Sequence, residues 1–374
     1  MKIANYVSRI IIGVVFIFSG FVKAVDPLGS VYKFDDYFAV FGMTWMEPLS
    51  LFLAILMSSL EFVIGFSILF GLRTKLTSWG SLLFMSFFTP LTLYIAIASP
   101  VSDCGCFGDA LILSNSHTFY KNIFILAAAL IVFIYRKKFR TPLTEKLQWG
   151  LIIISVIFIV GISLYSYRHE PIIDFRPWKV GNKIKDYVTA TPEVAEIKLV
   201  YKNKTTGEIK EYPMNNYPWN DSVWVANWKF VEQKKKVIKE YKKAPISDFI
   251  IHDKDGNDLT ESFIGNPSYQ FLLFAYDLTE TSRKNYPKIN AFAEKAEKDG
   301  YSFIGLTAAP FDYIDKFRHD VQAMHQYYLV DEIALKTAIR SNPGLILIKN
   351  GVVLGKWGNV DFPDYDKVKK EFLK

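Results

Sequence analysis

The sequence predicts a polytopic bundle of membrane-spanning α-helices followed by a soluble α/β domain with a β-rich insert. Three observations carry this. Apolar residues make up 51% and aromatics 16%, high for a soluble protein, while charged residues hold at 22%. Nearly all the long apolar runs lie before Tyr167, and the charge is concentrated after it. Beyond that point the apolar runs shorten and alternate with polar residues, first as strand-like stretches and then as strands alternating with amphipathic helices. A chain of 374 residues accommodates two or three domains of this kind.

Five segments read as membrane-spanning helices, at about residues 3–24, 48–72, 76–98, 119–135 and 149–167. The second, third and fifth approach or exceed the ~20 apolar residues that cross a bilayer core. The first and fourth have apolar cores of only 13 residues. The first also has the basic start and apolar centre of a signal peptide. Lys23 stands where a small-residue cleavage site belongs, so it is read as an uncleaved helix.

Orientation follows from the Lys and Arg residues in the flanks. One side holds nine: Lys2, Arg9, Arg73, Lys75, Arg136, Lys137, Lys138, Arg140 and Lys146; the other holds four: Lys23, Lys33, Lys121 and Arg168. The positive-inside rule puts the amino terminus in the cytoplasm and everything after Tyr167 outside the cytoplasmic membrane. Cys104 and Cys106, both cysteines of the chain, then face the compartment where disulfides persist. The net charge is +7; much of the first half's positive charge lies in such short loops, and the Lys-rich "EQKKKVIKEYKK" reads as a solvated helix or ribbon face. No nucleic-acid motif accompanies it. The expected partners are the lipid bilayer and an extracytoplasmic protein client or envelope partner, with no nucleic acid.

Within the second span, "LMSSLEFVIGF" places Glu61 near the bilayer centre. A charge there costs about 3 kcal/mol on insertion scales and needs a partner or a role. A hydrogen-bonded carboxyl that fixes helix packing is one reading. A proton relay, or a group contacting a quinone-like cofactor, is the other. Lys23 at the outer end of the first span is a candidate partner.

The stretch "SDCGCFGDA" sets the chemistry. Zinc normally takes four ligands in two pairs, and no third cysteine exists, so no metal site is assigned. A structural disulfide would close a tiny loop and gain little chain-entropy stabilisation. Short-span disulfides tend to be strained, and strained disulfides are the labile ones. Gly105 supplies the backbone freedom for the two cysteines to meet. Reversible thiol–disulfide chemistry is therefore the favoured reading. The flanking Asp103 and Asp109 oppose it, because nearby negative charge disfavours a thiolate.

The motifs "FSGFVKAVDPLG" and "DCGCFGD", with Glu61 between them, resemble the DoxX-like superfamily and within it the MauE-type branch of methylamine-utilisation membrane proteins. The resemblance covers about residues 1–140. It implies a four-helix membrane domain linked to redox and disulfide metabolism, with Cys104 and Cys106 as the redox pair. The branch is associated with maturation of a disulfide-rich enzyme subunit. Lys23 and Asp26, within the first motif, are candidate binding residues. The fifth span and linker (141–170) and the large tail depart from the minimal family pattern.

In the tail, residues 172–243 read as short strands and turns. "EIKLVYKNKTTGEIKEYPM" is a hairpin turning at Thr206-Gly207, the Trp-rich "YPWNDSVWVANW" belongs to the same β-rich extension, and "IHDKDGNDL" is a turn between strands with Asp255-Gly256 at its tip. That acidic loop lacks the carboxylate spacing of an EF-hand. From Tyr269 onward the order is strand, helix to Gly300, strand, helix, a hairpin at Asn350-Gly351 and a terminal helix. This order over residues 244–374 resembles the thioredoxin fold, in its peroxiredoxin and TlpA-like branch. The family's Cys-x-x-Cys falls on Thr279-Glu280-Thr281-Ser282, so its usual thiol chemistry is lost. Pro287 matches the helix proline, and Pro343 the proline that faces the site in cis. The resemblance leaves a degenerate groove around Thr279, Ser282 and Pro343 that would bind an extended peptide.

The favoured function is extracytoplasmic thiol–disulfide exchange by Cys104 and Cys106, with Glu61 as proton relay, a membrane quinone as candidate acceptor, and the thioredoxin-like domain docking a client or partner. Two rivals are a non-enzymatic assembly subunit with a structural cysteine pair, and a transporter or lipid-handling bundle that uses Glu61.

Overall fold

The computed structural model describes residues 2–101, 103–138, 141–188, 194–239, 244 and 246–373. Arg140 and the end of the Lys-rich run at residues 240–243 lie outside these, as do the residues on which the expected boundaries after 140 and 243 fall.

The membrane part opens with α1 (Lys2–Val25), α2 (Pro27–Val40), a 3-10 turn (Thr44–Leu49) and α3 (Ser50–Phe70). It continues with α4 (Thr74–Ala98), α5 (Asn115–Tyr135) and α6 (Glu145–Arg168). All but α2 are long and apolar enough to cross a membrane, the five spans having mean hydropathies of 1.8 to 2.4. The expected short cores in the first and fourth spans are extended by polar ends: α1 runs for 24 residues and α5 for 21. Ser114 accepts from the His117 N–H and starts α5.

Helix α2 is not among the expected elements, because it is too short and polar to register as a span. Asp26-Pro27 is nevertheless a start signal: the Asp26 carboxylate accepts from Gly29 N at 3.0 Å and Pro27 sits in the first helical turn. Helices α1 and α3 form the tightest pair in the bundle. A Cβ at Gly20 would lie 2.5 Å from Phe62 N, and one at Gly65 would lie 2.7 Å from Ile17 N, so glycine is what permits the approach. Ile12, Phe16, Ile68, Met85, Ile125 and Val132 fill the space between α1, α3, α4 and α5, and α6 adds Ile159 against Phe62 and Ala24.

After α6 come α7 (Lys185–Val188), β1 (Val194–Asn203), β2 (Ile209–Pro213), α8 (Ser222–Asn227) and β3 (Trp228–Lys239). These three strands form an antiparallel sheet ordered β2-β1-β3, with the expected turn at Gly207, φ +76°. The Lys-rich run lies on β3, a solvated ribbon rather than a helix. The Trp-rich stretch corrects the reading of strands and turns alone. Asp221 caps its N-H groups and folds residues 222–227 into α8. Around Asp255-Gly256 the expected strands shrink to isolated bridges from His252 to Asp258 and Leu329.

The α/β domain follows: α9 (Thr260–Ile264), β4 (Tyr269–Phe274), α10 (Tyr286–Lys298), β5 (Ser302–Thr307), α11 (Phe311–Val321), β6 (Tyr327–Leu329), α12 (Glu332–Ala338), β7 (Gly344–Lys349), β8 (Val352–Gly358) and α13 (Tyr365–Phe372). Its sheet is ordered β6-β5-β4-β7-β8, parallel through β6, β5 and β4 and antiparallel at β7 and β8. This is the thioredoxin topology, with β6 and α12 added to the expected elements. Every residue of β4 is buried, as a strand covered on both faces requires. Phe271, Leu273, Leu345 and Leu347 face one core; Leu272, Phe274, Ile346 and Ile348 face the other. Trp178, Ile184 and Val188, from ahead of the small sheet, complete the second core.

Candidate functional site

The loop between α4 and α5 turns at Gly105, whose φ of +68° favours glycine and where a Cβ would meet Lys33 Cγ at 3.0 Å. The turn brings the Cys104 and Cys106 thiols to a separation of 2.9 Å. Both residues are half-buried. Tyr37 Oη on α2 donates to Cys104 O at 3.1 Å, and Ser19 Oγ on α1 reaches Cys106 O at 2.7 Å.

Ser19 also stands 2.6 Å from Glu61 Oε2, while Lys23 Nζ donates to Glu61 Oε1 at 2.7 Å. A hydroxyl carries one proton and cannot donate to both acceptors. If Ser19 donates to the Cys106 carbonyl, its contact with Glu61 needs a proton on the carboxyl. If Glu61 is ionised, Ser19 turns to it and releases the carbonyl. The hydrogen-bond pattern at Cys106 thus depends on whether Glu61 holds a proton. The insertion cost of Glu61 is offset by Lys23, its anticipated partner.

The two thiols are inequivalent. The close contact with Cys104, in which either sulfur can donate, pulls the Cys106 pKa down to about 6, helped by Lys121 and Lys23 against burial and Glu61. The same contact, followed by burial, pushes Cys104 up. The expected opposition of the aspartates is therefore corrected for Cys106. Lys33 pairs with Asp103 at 3.0 Å, and Arg340 with Asp109 at 3.0 Å, so neither carboxylate acts on the pair alone.

Arg340 belongs to the segment between α12 and β7 and joins the two domains. Its guanidinium also meets Asp26 at 2.8 Å, with Nε contributing at 3.0 Å. Burial alone would lower the Arg340 pKa, but Asp26 and Asp109 more than offset it and leave it raised. Burial likewise opposes the ionised Asp26, and Arg340 with Arg176 outweighs it, leaving that carboxyl below its ordinary value. Asp109 stays raised, chiefly by burial. Nearby, Glu170 and Asp174 of the segment after α6 bind Arg176 and Lys356, tying that segment to the α/β domain.

Thr279, Ser282 and Pro343 lie together in the α/β domain, apart from the cysteines. Asn342–Pro343 is cis. Thr279 Oγ1 donates to Asp277 Oδ1 at 2.6 Å, Ser282 N to Asn342 O at 3.2 Å, and Asn342 Nδ2 to Asp277 O at 2.7 Å. The Asn342 carbonyl beside the cis bond is thus already bonded within the loop. The neighbouring face is covered by α2, where Tyr32 lies under both Lys336 (5.2 Å) and Arg340 (5.3 Å).

Two cavities converge on the cysteine loop. The first, about 310 Å³, is lined by Phe34, Phe38, Met57, Phe84, Met85 and Leu91, and reaches Glu61, Lys23 and both cysteines. The second is a polar crevice of about 570 Å³ between α2, the loop and α12, lined among others by Asp36, Asp103, Asp109, Lys336, Thr337 and Arg340. Ser30, Lys33 and Gly105 line both. Ser19, Tyr37, Lys121 and Arg340 were not singled out in the sequence. Ser19 and Lys23, four apart on one helix, were the available signal.

Fold and site define a multi-pass membrane domain with a paired-thiol loop, joined to a thioredoxin-fold domain without cysteines. Residues 1–135 match the family model described as methylamine utilisation protein MauE, in agreement with the motifs of the first half. Residues 195–240 match a domain of unknown function (DUF8463). No curated protein matches the chain. Among solved structures, a thiol:disulfide interchange protein from Bacteroides sp. is 18% identical, covering 34% of this chain and 86% of that one with a TM-score of 0.28. The thioredoxin domain of a thiol-disulfide oxidoreductase from Bacteroides vulgatus is 19% identical, covering 33% and 90%, with a TM-score of 0.27.

Proposed function

We propose that the chain oxidises thiols on the outer face of the cytoplasmic membrane, with Cys104 and Cys106 cycling between dithiol and disulfide. The observation that carries this is the thiol pair, 2.9 Å apart, at the edge of an apolar cavity that also holds the Glu61–Lys23 pair. The charge asymmetry of the flanks supports an amino terminus in the cytoplasm, with the cysteine loop and the α/β domain outside.

The cavity fits a membrane quinone: aromatic and Met side chains suit its ring, and Lys23 and Glu61 offer a polar end. Such a group, when bound, would take up two electrons and two protons, one from Cys104 and one from solvent, as the pair becomes a disulfide. Cys106 enters as the thiolate, and Cys104 gives up its proton as the disulfide closes. Glu61 and Ser19 are placed to hold and pass that proton, and Lys23 balances the carboxylate between turnovers. The α/β domain roofs the loop and shapes the approach of a protein client.

The test is anaerobic oxidation of a reduced, unfolded protein by the full chain in detergent with a short-chain ubiquinone. One quinone should be consumed per two thiols, and Cys104→Ala or Cys106→Ala should fall to background. A pair that stays fully oxidised under differential alkylation, with a double Ser variant of unchanged activity, would point instead to a structural clip and a docking subunit.

A further inference from the structure

Helices α3 and α4 are joined by only Gly71, Leu72 and Arg73. Near that link they pack closely: a Cβ at Gly80 would meet Ile64 Cδ1 at 3.3 Å. Toward their other ends, on the cysteine side, both helices line the apolar cavity instead, with Leu53 and Met57 of α3 and Phe87 and Leu91 of α4. Phe41, just after α2, also lines it, and its ring centre lies 5.8 Å from that of Tyr94 on α4. Phe41 and Phe87 are nevertheless 41% and 65% exposed. In a bundle that spans a membrane, an exposed side chain on a spanning helix faces lipid. One that lines a cavity as well marks an opening. Phe87 and Tyr94 are about two helical turns apart, so the opening extends over roughly 10 Å of α4.

We propose that the cavity opens sideways into the bilayer between Phe41 and Phe87, and that the isoprenoid chain of a quinone passes through this opening into the lipid. The quinone ring then lies inside, toward Lys23 and Glu61. This rests on the quinone reading given above and deepens it, because it makes a chain-bearing, membrane-borne acceptor the ligand class and names the residues that select it.

Size and polarity both favour this route. At about 310 Å³ the cavity is at the lower end of the range for small-molecule sites, so a ring fills it and a long chain must lie outside. The cavity also meets the polar crevice, through Ser30, Lys33 and Gly105, which line both. There Lys33 is paired with Asp103 at 3.0 Å. A hydrocarbon chain leaving that way would displace water from an ion pair, which costs free energy, and would end in a water-filled cleft. Between Phe41 and Phe87 it passes aromatic rings and ends in lipid, with no apolar surface left in water.

Photolabelling of the full chain in lipid nanodiscs tests the opening. The probe is a ubiquinone analogue with a diazirine at the end of a decyl chain. Labelled peptides should come from residues 41–46 and 87–94, and excess decyl-ubiquinone should suppress the label about fivefold or more. Suppressible labelling centred on any other segment, such as α12 or the cysteine loop, overturns the opening and leaves quinone binding standing. Labelling that excess decyl-ubiquinone does not suppress overturns quinone binding, and the opening with it. A second probe carries an azide on the ring and no chain. Phe87→Trp should lower labelling by the chain-borne probe about fivefold or more, and labelling by the ring-borne probe by less than about twofold. An equal change in both overturns the assignment of the chain to this opening. The readout is a covalent label, so neither cysteine turnover nor an electron donor enters it.

Discussion

Arg340 and Asp109 are 231 residues apart in the chain, yet their side chains meet at 3.0 Å and fasten the α/β domain to the cysteine loop. The same guanidinium holds Asp26, which caps α2. Removing it leaves two carboxylates facing each other in a largely buried site. Arg340→Ala should therefore cost about 3 kcal/mol, the range for breaking a buried pair from one side. Denaturant unfolding of the detergent-solubilised chain checks this, with faster proteolysis after α6 as a second readout. Asp109→Asn should cost under about 1 kcal/mol, since Asp109 is 37% exposed and Asp26 keeps the arginine paired.

The thiol asymmetry has a direct signature. In the reduced protein, alkylation of Cys106 by iodoacetamide should rise with a midpoint near pH 6. Cys104→Ala removes the strongest donor to that thiolate, so the midpoint should move up toward the ordinary thiol value of about 8.5. A midpoint that stays near pH 6 in this variant would assign the shift to the lysines instead.

Glu61→Gln keeps the shape of the side chain and removes its capacity to carry the proton. Quinone-linked thiol oxidation should fall by about 10²-fold or more, the usual share of a positioned acid–base group. Alkylation of the cysteines should persist. Should Glu61→Gln abolish the chain's activity while cysteine substitutions leave it intact, the transporter or lipid-handling reading replaces the redox one.

His325 gives the α/β domain an acid sensitivity of its own. It lies buried against Phe303 and Tyr327, with neither ring nitrogen bonded among the described residues. Burial, with Arg318 beside it, pushes its pKa down to about 3. The unfolded chain binds this proton near pH 6.5 and the folded chain does not, so its contribution is present above about 6.5 and lost as pH falls toward about 3. By pH 5.5 the loss should be about 1.4 kcal/mol. The slope of unfolding midpoint against pH should flatten in His325→Phe over this window, and an unchanged slope would refute the assignment.

The five spans were legible because bilayer crossing demands a long apolar run, a local property. The alternating strands of the α/β domain were legible for the same reason: β4 is buried on both faces and must be apolar throughout. Glu61 and Lys23 could be paired in advance, as two charges with nowhere else to go. Arg340 could not, since nothing local in "AIRSNPG" distinguishes a buried arginine from a solvated one. Helix α2 was overlooked because it is too mixed to cross a membrane, although its Asp-Pro start was in plain view. The weak effect of Asp103 and Asp109 on Cys106 was not legible, because their cations, Lys33 and Arg340, come from other elements.

The ion bridge from Arg340 also sets an order of events during synthesis. The bundle, with Asp26 and Asp109, emerges from the ribosome long before residue 340 exists. Until the last part of the chain has folded, those two carboxylates lack their cation and the crevice over the cysteines has only one wall. A chain that stops early, or whose outer domain misfolds, would carry the thiols without the site around them. Completion of the bridge thus comes last, and only a finished molecule has both walls of the crevice beside the cysteine loop.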